Sequence, residues 1–212
     1  MTIRTAAVLA LCVSVVGGGA AVAAPKAKPK PVPVCNLVAD DKGDATGGVV
    51  SPGNVPAWDV TSADIATDAK TLTSVIRVDK LAKSVNDSPL GSQWRMDFFV
   101  GEKHLYTQAT STPFGDKFIF GYTDTTSHRV ADAGATGVFD LDLNEVRVSV
   151  PLSGIESQAK ITPGTKLTQL SAQAGDYINT AGGSPSLSNA ADEAEGAKPY
   201  AAATPSCVAV GK

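Results

Sequence analysis

A short acidic stretch near the start of the chain carries the residue types of a calcium site. The segment 40–44 reads Asp-Asp-Lys-Gly-Asp, and Asp59 follows it. Calcium takes roughly six to eight oxygen ligands, often from carboxylates around a tight turn. The pattern predicts Asp41, Asp44 and Asp59 as calcium ligands, with Asp40 as a further oxygen donor and the glycine allowing the turn. An ordinary aspartate-rich surface turn explains the same residues, and no EF-hand spacing is present in the sequence.

Aromatic side chains that could hold a sugar form the second group. Carbohydrate binding needs ring faces for stacking and polar side chains that hold the hydroxyls. Trp58 follows Pro56 in a loop, where no core requires an aromatic residue, so we predict it as the ligand-binding residue. Trp94 stands at strand spacing with other apolar residues and is predicted to be core. Tyr106 and Tyr122 are further candidates, although an aromatic content of 6% is lean for a carbohydrate module.

The motifs of the common hydrolases are absent from the sequence. It contains no G-x-S-x-G elbow and no H-E-x-x-H zinc motif. Two histidines leave little material for histidine-based catalysis. The segment 157–160 matches S-x-x-K, but neither an S-D-N nor a K-T-G partner accompanies it. We therefore predict no catalytic residue and no enzyme. A hydrolase that uses paired carboxylates is an alternative, because many aspartates are available.

The N-terminal residues indicate export. Residues 1–23 combine Arg4, an apolar run over 6–16 and an A-x-A site at 21–23, which is typical of a cleaved signal peptide. Residues 24–34 form a spacer rich in proline and lysine. Such a composition favours extended geometry, so we expect this spacer to be disordered.

Cysteine usage fits an exported domain. Removal of the signal peptide leaves Cys35 and Cys207, and an even count in an exported protein is typical of a disulfide. Two buried free thiols are the alternative. A bridge would close a loop of roughly 170 residues and contribute about 5 kcal/mol in the chain-entropy treatment. It would also join the first strand to the C-terminus.

Charge and hydropathy limit the classes of partner. The net charge of −3 argues against binding to nucleic acid through phosphate neutralisation. After the signal peptide, no segment is apolar enough to cross a bilayer. The lysines of the spacer would let it touch anionic cell-wall polymers, although we favour a solvated linker as their explanation. We predict a secreted or cell-envelope-associated protein, and the sequence contains no signal for its oligomeric state.

Short strands joined by glycine and proline turns must position these residues. The segments 68–70 (Asp-Ala-Lys) and 142–144 (Asp-Leu-Asn) are predicted to be the turns of two hairpins. Strands are predicted over Asp59–Thr67, Thr71–Val78, Gln93–Val100, His104–Gln108, Lys117–Tyr122, Gly137–Leu141, Glu145–Val150 and Lys166–Ala174. Residues 180–206 are rich in Gly, Ser, Ala and Pro, and they predict a long loop. No long amphipathic helix is found. The pattern predicts an all-β fold, a jelly-roll-like antiparallel β-sandwich over residues 35–212.

The order of three motifs resembles a known superfamily. The acidic D-x-x-G-D turn at 40–44, the segment 56–65 and a strand ending in V-P-L-S at 150–153 follow one another. Secreted jelly-roll domains of actinobacteria are similar in this respect, and they are related to DOMON domains and family 9 carbohydrate-binding modules. The resemblance covers residues 35–175. It implies a β-sandwich that binds sugars, haem or another small ligand, or that bridges other domains, in some cases with a structural calcium in the acidic turn.

The resemblance favours a secreted, non-catalytic binding or interaction module whose partner is a polysaccharide or cell-wall polymer. A structural or cell-envelope-associated protein without a small-molecule ligand is the alternative. Haem ligation would have to use Met96, His104 or His128. Met96 alternates in phase with core residues and His104 follows a turn, so we predict no cofactor apart from the candidate structural calcium.

Overall fold

The computed structural model describes residues 32–46, 53–83, 85, 88, 90–124, 129–177 and 190–211. The predicted signal peptide at 1–23 and residues 24–31 of the spacer lie outside the described residues, as does His128. Within the described residues, no helix has the length and apolar character needed to cross a membrane.

Two antiparallel sheets pack against each other. In chain order the strands are β1 (Val38–Ala39), β2 (Val60–Thr67), β3 (Thr71–Val78), β4 (Ser92–Val100), β5 (Lys103–Thr112), β6 (Gly115–Thr123), β7 (Arg129–Gly134), β8 (Thr136–Asp140), β9 (Glu145–Pro151), β10 (Lys166–Asp176), β11 (Ala190–Glu195) and β12 (Tyr200–Ala201), and the short helix α1 (Leu152–Ile155) follows β9. The smaller sheet has the order β1-β2-β3-β9-β8. The larger sheet has the order β11-β10-β4-β5-β6-β7, and β12 pairs with β10. The predicted all-β sandwich is confirmed.

Strand β4 shows how alternation builds the two faces of the larger sheet. Trp94, Met96 and Phe98 are fully buried in the hydrophobic core, as their spacing predicts. Arg95 and Asp97 point to the opposite face, and they are buried as well. The outer face of the larger sheet therefore carries polar side chains that their neighbours hold in place.

Two hairpins of the smaller sheet confirm the turn signals of the sequence. Between β2 and β3, the Asp68 carboxylate accepts hydrogen bonds from the backbone N–H groups of Lys70 and Thr71, both at 2.7 Å. Between β8 and β9, Asn144 adopts a φ of 56°. Asparagine tolerates this left-handed conformation better than most residues. Local turn chemistry thus sets the register of both hairpins.

The prediction of a loop over 180–206 is wrong for its second half. Strands β11 and β12 lie there, and both pair with β10; residues 178–189 lie outside the described residues. Alanine and acidic residues are depleted in strands, so the local sequence carries no strand signal. Tertiary pairing decides instead, because Ala194 lies opposite Ala172 and both are buried. Small side chains fit this edge of the core.

A disulfide joins the N-terminal and C-terminal segments, as predicted. Cys35 and Cys207 are bridged with their Cα atoms 5.3 Å apart, across a sequence separation of 172. Beside the bridge, Val34 and Ser206 form a parallel β-bridge, and the N–H of Val34 donates to the carbonyl of Pro205 at 3.0 Å. The last residue of the predicted spacer is therefore already paired.

Candidate functional site

Three aspartates from distant parts of the chain, Asp40, Asp44 and Asp192, form what we call the acidic cluster. One carboxylate oxygen from each lies within 4.8 Å of the others. Asp40 directly follows β1, and Asp44 closes a turn in which Gly43 has a φ of +98°. This conformation favours glycine. Asp192 belongs to β11 and is only 8% exposed.

Asp59 is fully buried beneath this turn. Its Oδ2 accepts hydrogen bonds from the N–H of Gly43 at 2.7 Å and from Nδ2 of Asn54 at 2.9 Å. Its Oδ1 is buried and has no hydrogen-bond partner. An unpartnered buried acceptor costs about 1–3 kcal/mol. Asp59 therefore holds the turn through Oδ2 alone.

Burial and mutual repulsion appear in the pKa values of the acidic cluster. Burial, followed by the negative charges of Asp40 and Asp44, raises the pKa of Asp192 to about 6. The N–H of Val60 opposes this shift by donating to Asp192 Oδ2 at 2.6 Å. Burial also raises the pKa of Asp40, and neighbouring carboxylates add to the effect. The ionised forms of Asp40 and Asp192 are therefore disfavoured within the acidic cluster.

Of the three predicted calcium ligands, only Asp44 is a member of the acidic cluster. Asp44 belongs to the acidic cluster and Asp59 lies beneath it, whereas the exposed Asp41 is not a member. Asp40 belongs to the cluster in its place, and its Oδ1 accepts the N–H of Asp41 at 3.0 Å. Asp192 escaped sequence analysis because it lies far along the chain in a segment without a strand signal.

Trp58 does not present a ring face to a ligand. Its side chain is fully buried within the hydrophobic core. The turn that starts at Pro56 directs the indole inward, and the adjacent carbonyl of Ala57 accepts a hydrogen bond from Trp94 Nε1 at 2.9 Å. Burial of a large aromatic surface outweighs the loop context. The prediction of Trp58 as the ligand-binding residue is therefore wrong, and Tyr106 is also fully buried.

A groove of about 360 Å³ crosses the outer face of the larger sheet. Phe99 of β4 and His104 of β5 lie directly opposite each other, and their rings stack with centroids 4.6 Å apart and planes inclined by 8°. Both side chains are half-buried. Gln173 of β10 and the carboxylates of Glu193 and Glu195 of β11 line the groove beside this ring pair.

A continuous set of hydrogen bonds lies under the groove and spans four strands. His104 Nε2 lies 2.9 Å from Asp97 Oδ1, and Arg95 Nε donates to Asp97 Oδ2 at 2.6 Å. Arg95 Nη2 donates to Gln173 Oε1, and Gln173 Nε2 donates to Glu193 Oε1 at 2.5 Å. Arg95 is fully buried. The polar groups are therefore fixed before any ligand arrives, which lowers the entropic cost of binding.

A second cavity, of about 420 Å³, lies on the other side of the ring pair and shares Phe99 and His104 with the groove. Tyr122, a candidate from the sequence, lines this cavity and is half-buried. Glu102, from the turn between β4 and β5, and Lys103, the first residue of β5, line it as well. The ring pair therefore stands between two cavities, and an elongated ligand can contact both.

Comparison with known proteins finds no family model, no curated protein and no solved structure that matches the chain. The resemblance to DOMON domains and family 9 carbohydrate-binding modules stays a prediction. The function has to be inferred from the chemistry of the groove and of the acidic cluster.

Proposed function

We propose that the protein is a secreted, non-catalytic binding module that holds a carbohydrate in the groove of the larger sheet. The observation that carries this proposal is the stacked pair of Phe99 and His104 beside a fixed row of polar side chains. A ring surface and hydrogen-bonding groups at its edge are the two parts that recognition of a sugar requires.

The ring pair supplies the apolar part. Phe99 follows the core residue Phe98, so the alternation of β4 directs its ring to the outer face. A half-buried aromatic ring offers a surface against which the C–H face of a pyranose packs and releases water. His104 stacks on one face of Phe99 and holds that ring in place.

The acidic wall supplies the polar part. Glu193 and Glu195 offer carboxylate oxygens to hydroxyl donors, and Gln173 offers an amide beside them. Hydrogen bonds to charged acceptors are stronger than those between neutral groups. Because the wall is negatively charged, it favours neutral, hydroxyl-rich glycans over anionic polymers.

Two carboxylates of the groove, those of Asp97 and Glu193, accept hydrogen bonds from protein side chains, which supports a non-catalytic role. Both oxygens of Asp97 are engaged, one by Arg95 and the other by His104. Glu193 Oε1 accepts from Gln173. Glycoside hydrolysis needs two carboxyl groups that are free to donate a proton or to attack. We therefore propose that these groups bind and orient a sugar without cleaving it.

The disulfide between Cys35 and Cys207 supports an extracellular location. Disulfides persist in oxidising compartments and are rare in the cytosol. The predicted signal peptide at 1–23 points to the same location. We therefore propose that the carbohydrate is a polysaccharide at or beyond the cell surface.

Retention on insoluble polysaccharides and on purified cell wall tests the proposal. We expect the purified protein to be retained on at least one neutral polysaccharide. The Phe99→Ala variant should lower the affinity by about tenfold or more, because it removes a central aromatic contact. The matched control is Phe114→Ala, since Phe114 is 98% exposed in the turn between β5 and β6. This control should bind as the unchanged protein does.

The possible outcomes separate the two candidate functions. Retention that survives Phe99→Ala would contradict the groove as the binding site. Absence of retention on every glycan would favour the alternative, a structural or cell-envelope-associated protein without a small-molecule ligand. Cleavage of the retained polysaccharide would contradict the non-catalytic assignment.

A further inference from the structure

The edges of the two sheets differ in how they are protected from pairing with other strands. The smaller sheet ends in β1 and β8, and the larger sheet ends in β11 and β7. An edge strand presents unpaired N–H and C=O groups, and proteins protect such edges with charged side chains or with very short strands. The exposed Glu193 and Glu195 protect β11, and the exposed Asp132 protects β7. β1 has only two residues and is followed by Asp40.

Strand β8 has no such protection over most of its length. Residues 136–139 carry no charge. The carboxylate of Asp140, at the end of the strand, accepts the N–H groups of Asp142 at 3.1 Å and of Leu143 at 3.0 Å, so it serves the turn to β9. Within the described residues, β8 pairs with β9 alone. Gly137 is exposed, and because glycine has no side chain, its exposed surface belongs to the backbone.

Exposed apolar side chains accompany this open edge. Val138 in β8 is 46% exposed, and Leu141 and Leu143 in the turn that follows are 54% and 62% exposed. Scattered apolar residues are ordinary on protein surfaces, but three on one hairpin beside a free backbone edge are typical of a contact surface. The partner that satisfies both features is itself a strand with apolar side chains.

We propose that β8 of a second copy of the protein pairs antiparallel with this edge, with the two-fold axis at Val138. In this register Val138 lies opposite the same residue of the other copy, and Thr136 lies opposite Asp140. The two Asp140 carboxylates therefore do not face each other, whereas like charges directly opposite would destabilise the pair. The strand is thus complementary to itself, as an isologous interface requires.

Pairing of this kind closes at two copies, because each copy offers one β8 edge. The two five-stranded sheets then form one continuous sheet of ten strands. None of the described residues that line the groove or the second cavity belongs to β8. Strand pairing therefore uses no residue of either cavity, and the proposal does not depend on what the groove binds.

Sedimentation of the purified protein over a range of concentrations tests the proposal without any glycan. A contact of one short strand per copy is small, so we expect a reversible dimer with a Kd of about 10–100 µM. Amide hydrogen exchange supplies a second measurement. The amides of β8 should become more protected as the concentration rises through the Kd, because they gain hydrogen bonds to the other copy.

A charge at the axis tests the register. Val138→Glu should weaken self-association by about tenfold or more, because two carboxylates would face each other. Arg147 lies directly opposite Val138 on β9, so the fold should accept a carboxylate there. Val138→Lys should weaken self-association in the same way, and circular dichroism checks that both variants fold. An equimolar mixture of the two variants should associate again, because opposite charges then meet at the axis.

The matched control is Phe114→Glu, which changes an apolar residue that is 98% exposed in the turn between β5 and β6. It should associate as the unchanged protein does. The mass of a single copy at every concentration overturns the proposal, and so does a dimer in which the amides of β8 gain no protection. Equal Kd values for the unchanged protein and Val138→Glu, or a mixture of folded variants that does not associate, overturn the axis at Val138. If a variant fails to fold, hydrogen exchange of the unchanged protein decides.

Discussion

Two groups of carboxylates in this protein, each with a buried member, differ in whether basic side chains accompany them. What we call the balanced cluster contains Arg77, Arg147, Asp64 and Glu145. Arg77 Nη1 lies 2.7 Å from Asp64 Oδ2, and Arg77 Nε lies 2.8 Å from Glu145 Oε1. Arg147 Nη2 lies 2.9 Å from Glu145 Oε2. In the acidic cluster, Asp192 meets other aspartates instead. The first group contains its own cations, whereas within the described residues no basic side chain forms an ion pair with Asp40, Asp44 or Asp192.

The difference follows from where the residues lie in the chain. The balanced cluster sits on β2, β3 and β9, which are neighbours in the smaller sheet, so strand register places opposite charges side by side. Although burial of the guanidinium acts to lower it, the pairs with Asp64 and Glu145 raise the pKa of Arg77. The acidic cluster joins a turn after β1 to β11, and burial raises the pKa of Asp192. Strand register thus pairs opposite charges in the balanced cluster, whereas in the acidic cluster a turn and a strand bring like charges together.

The disulfide gives the largest expected effect, since it ties together the two ends that form the acidic cluster. Replacing Cys35 and Cys207 with serine should lower the free energy of unfolding by about 5 kcal/mol, because the unfolded chain loses a long closed loop. Denaturant unfolding measures this loss. Hydrogen exchange should show the segment after Cys35 opening before the strands of the balanced cluster. Simultaneous opening of both regions would contradict the comparison.

Removal of Arg77 breaks the balanced cluster. Arg77→Met should lower the free energy of unfolding by about 3–5 kcal/mol, because Asp64 is fully buried and would keep an uncompensated charge. Urea unfolding at neutral pH gives the value. As a control, Lys83→Met removes a half-exposed partner of Asp116 and should cost less than about 1 kcal/mol. Equal losses of unfolding free energy in the two variants would show that burial of the carboxylate does not determine the cost of removing its cation.

Those parts of the fold that depend on local sequence patterns could be predicted from the sequence. Alternation in β4 and turn chemistry at Asp68 predicted strands and hairpins that the structure confirms. The same alternation also assigns Phe99 to the outer face, so one side of the groove was within reach of sequence analysis. The other side was not, because Glu193 lies on a strand formed only by pairing with β10.

The positions of Trp58 and Asp192 were beyond sequence analysis for the same reason. The sequence at Pro56 is typical of a surface loop, yet the structure buries the indole of Trp58. Burial of that ring stabilises the fold more than its exposure to solvent would. Asp192 looks like part of a linker, yet it reaches the acidic cluster across the domain. Both outcomes depend on contacts between segments far apart in sequence, which no local spacing encodes.

The acidic cluster should respond to charge removal with the opposite sign to the balanced cluster. In chelator at neutral pH, Asp192→Asn should raise the free energy of unfolding by about 1 kcal/mol, since burial and like charges disfavour the ionised carboxylate and solvent screens part of that cost. Urea unfolding beside Asp142→Asn, which should change little, measures the gain. A loss like that of Arg77→Met would mean that the protein itself compensates Asp192.

Asp68 offers the smallest version of the comparison, a single exposed carboxylate compensated by backbone N–H groups. The hydrogen bonds from Lys70 and Thr71 lower its pKa below the ordinary value of 3.8. Its contribution is therefore present at neutral pH and is lost as the pH falls through the folded-state pKa. Asp68→Ala should cost less than about 0.5 kcal/mol at neutral pH, and the difference should narrow in strongly acidic solution. Urea midpoints of both proteins at the two pH values test this, and a difference that widens in acid would contradict the assigned sign.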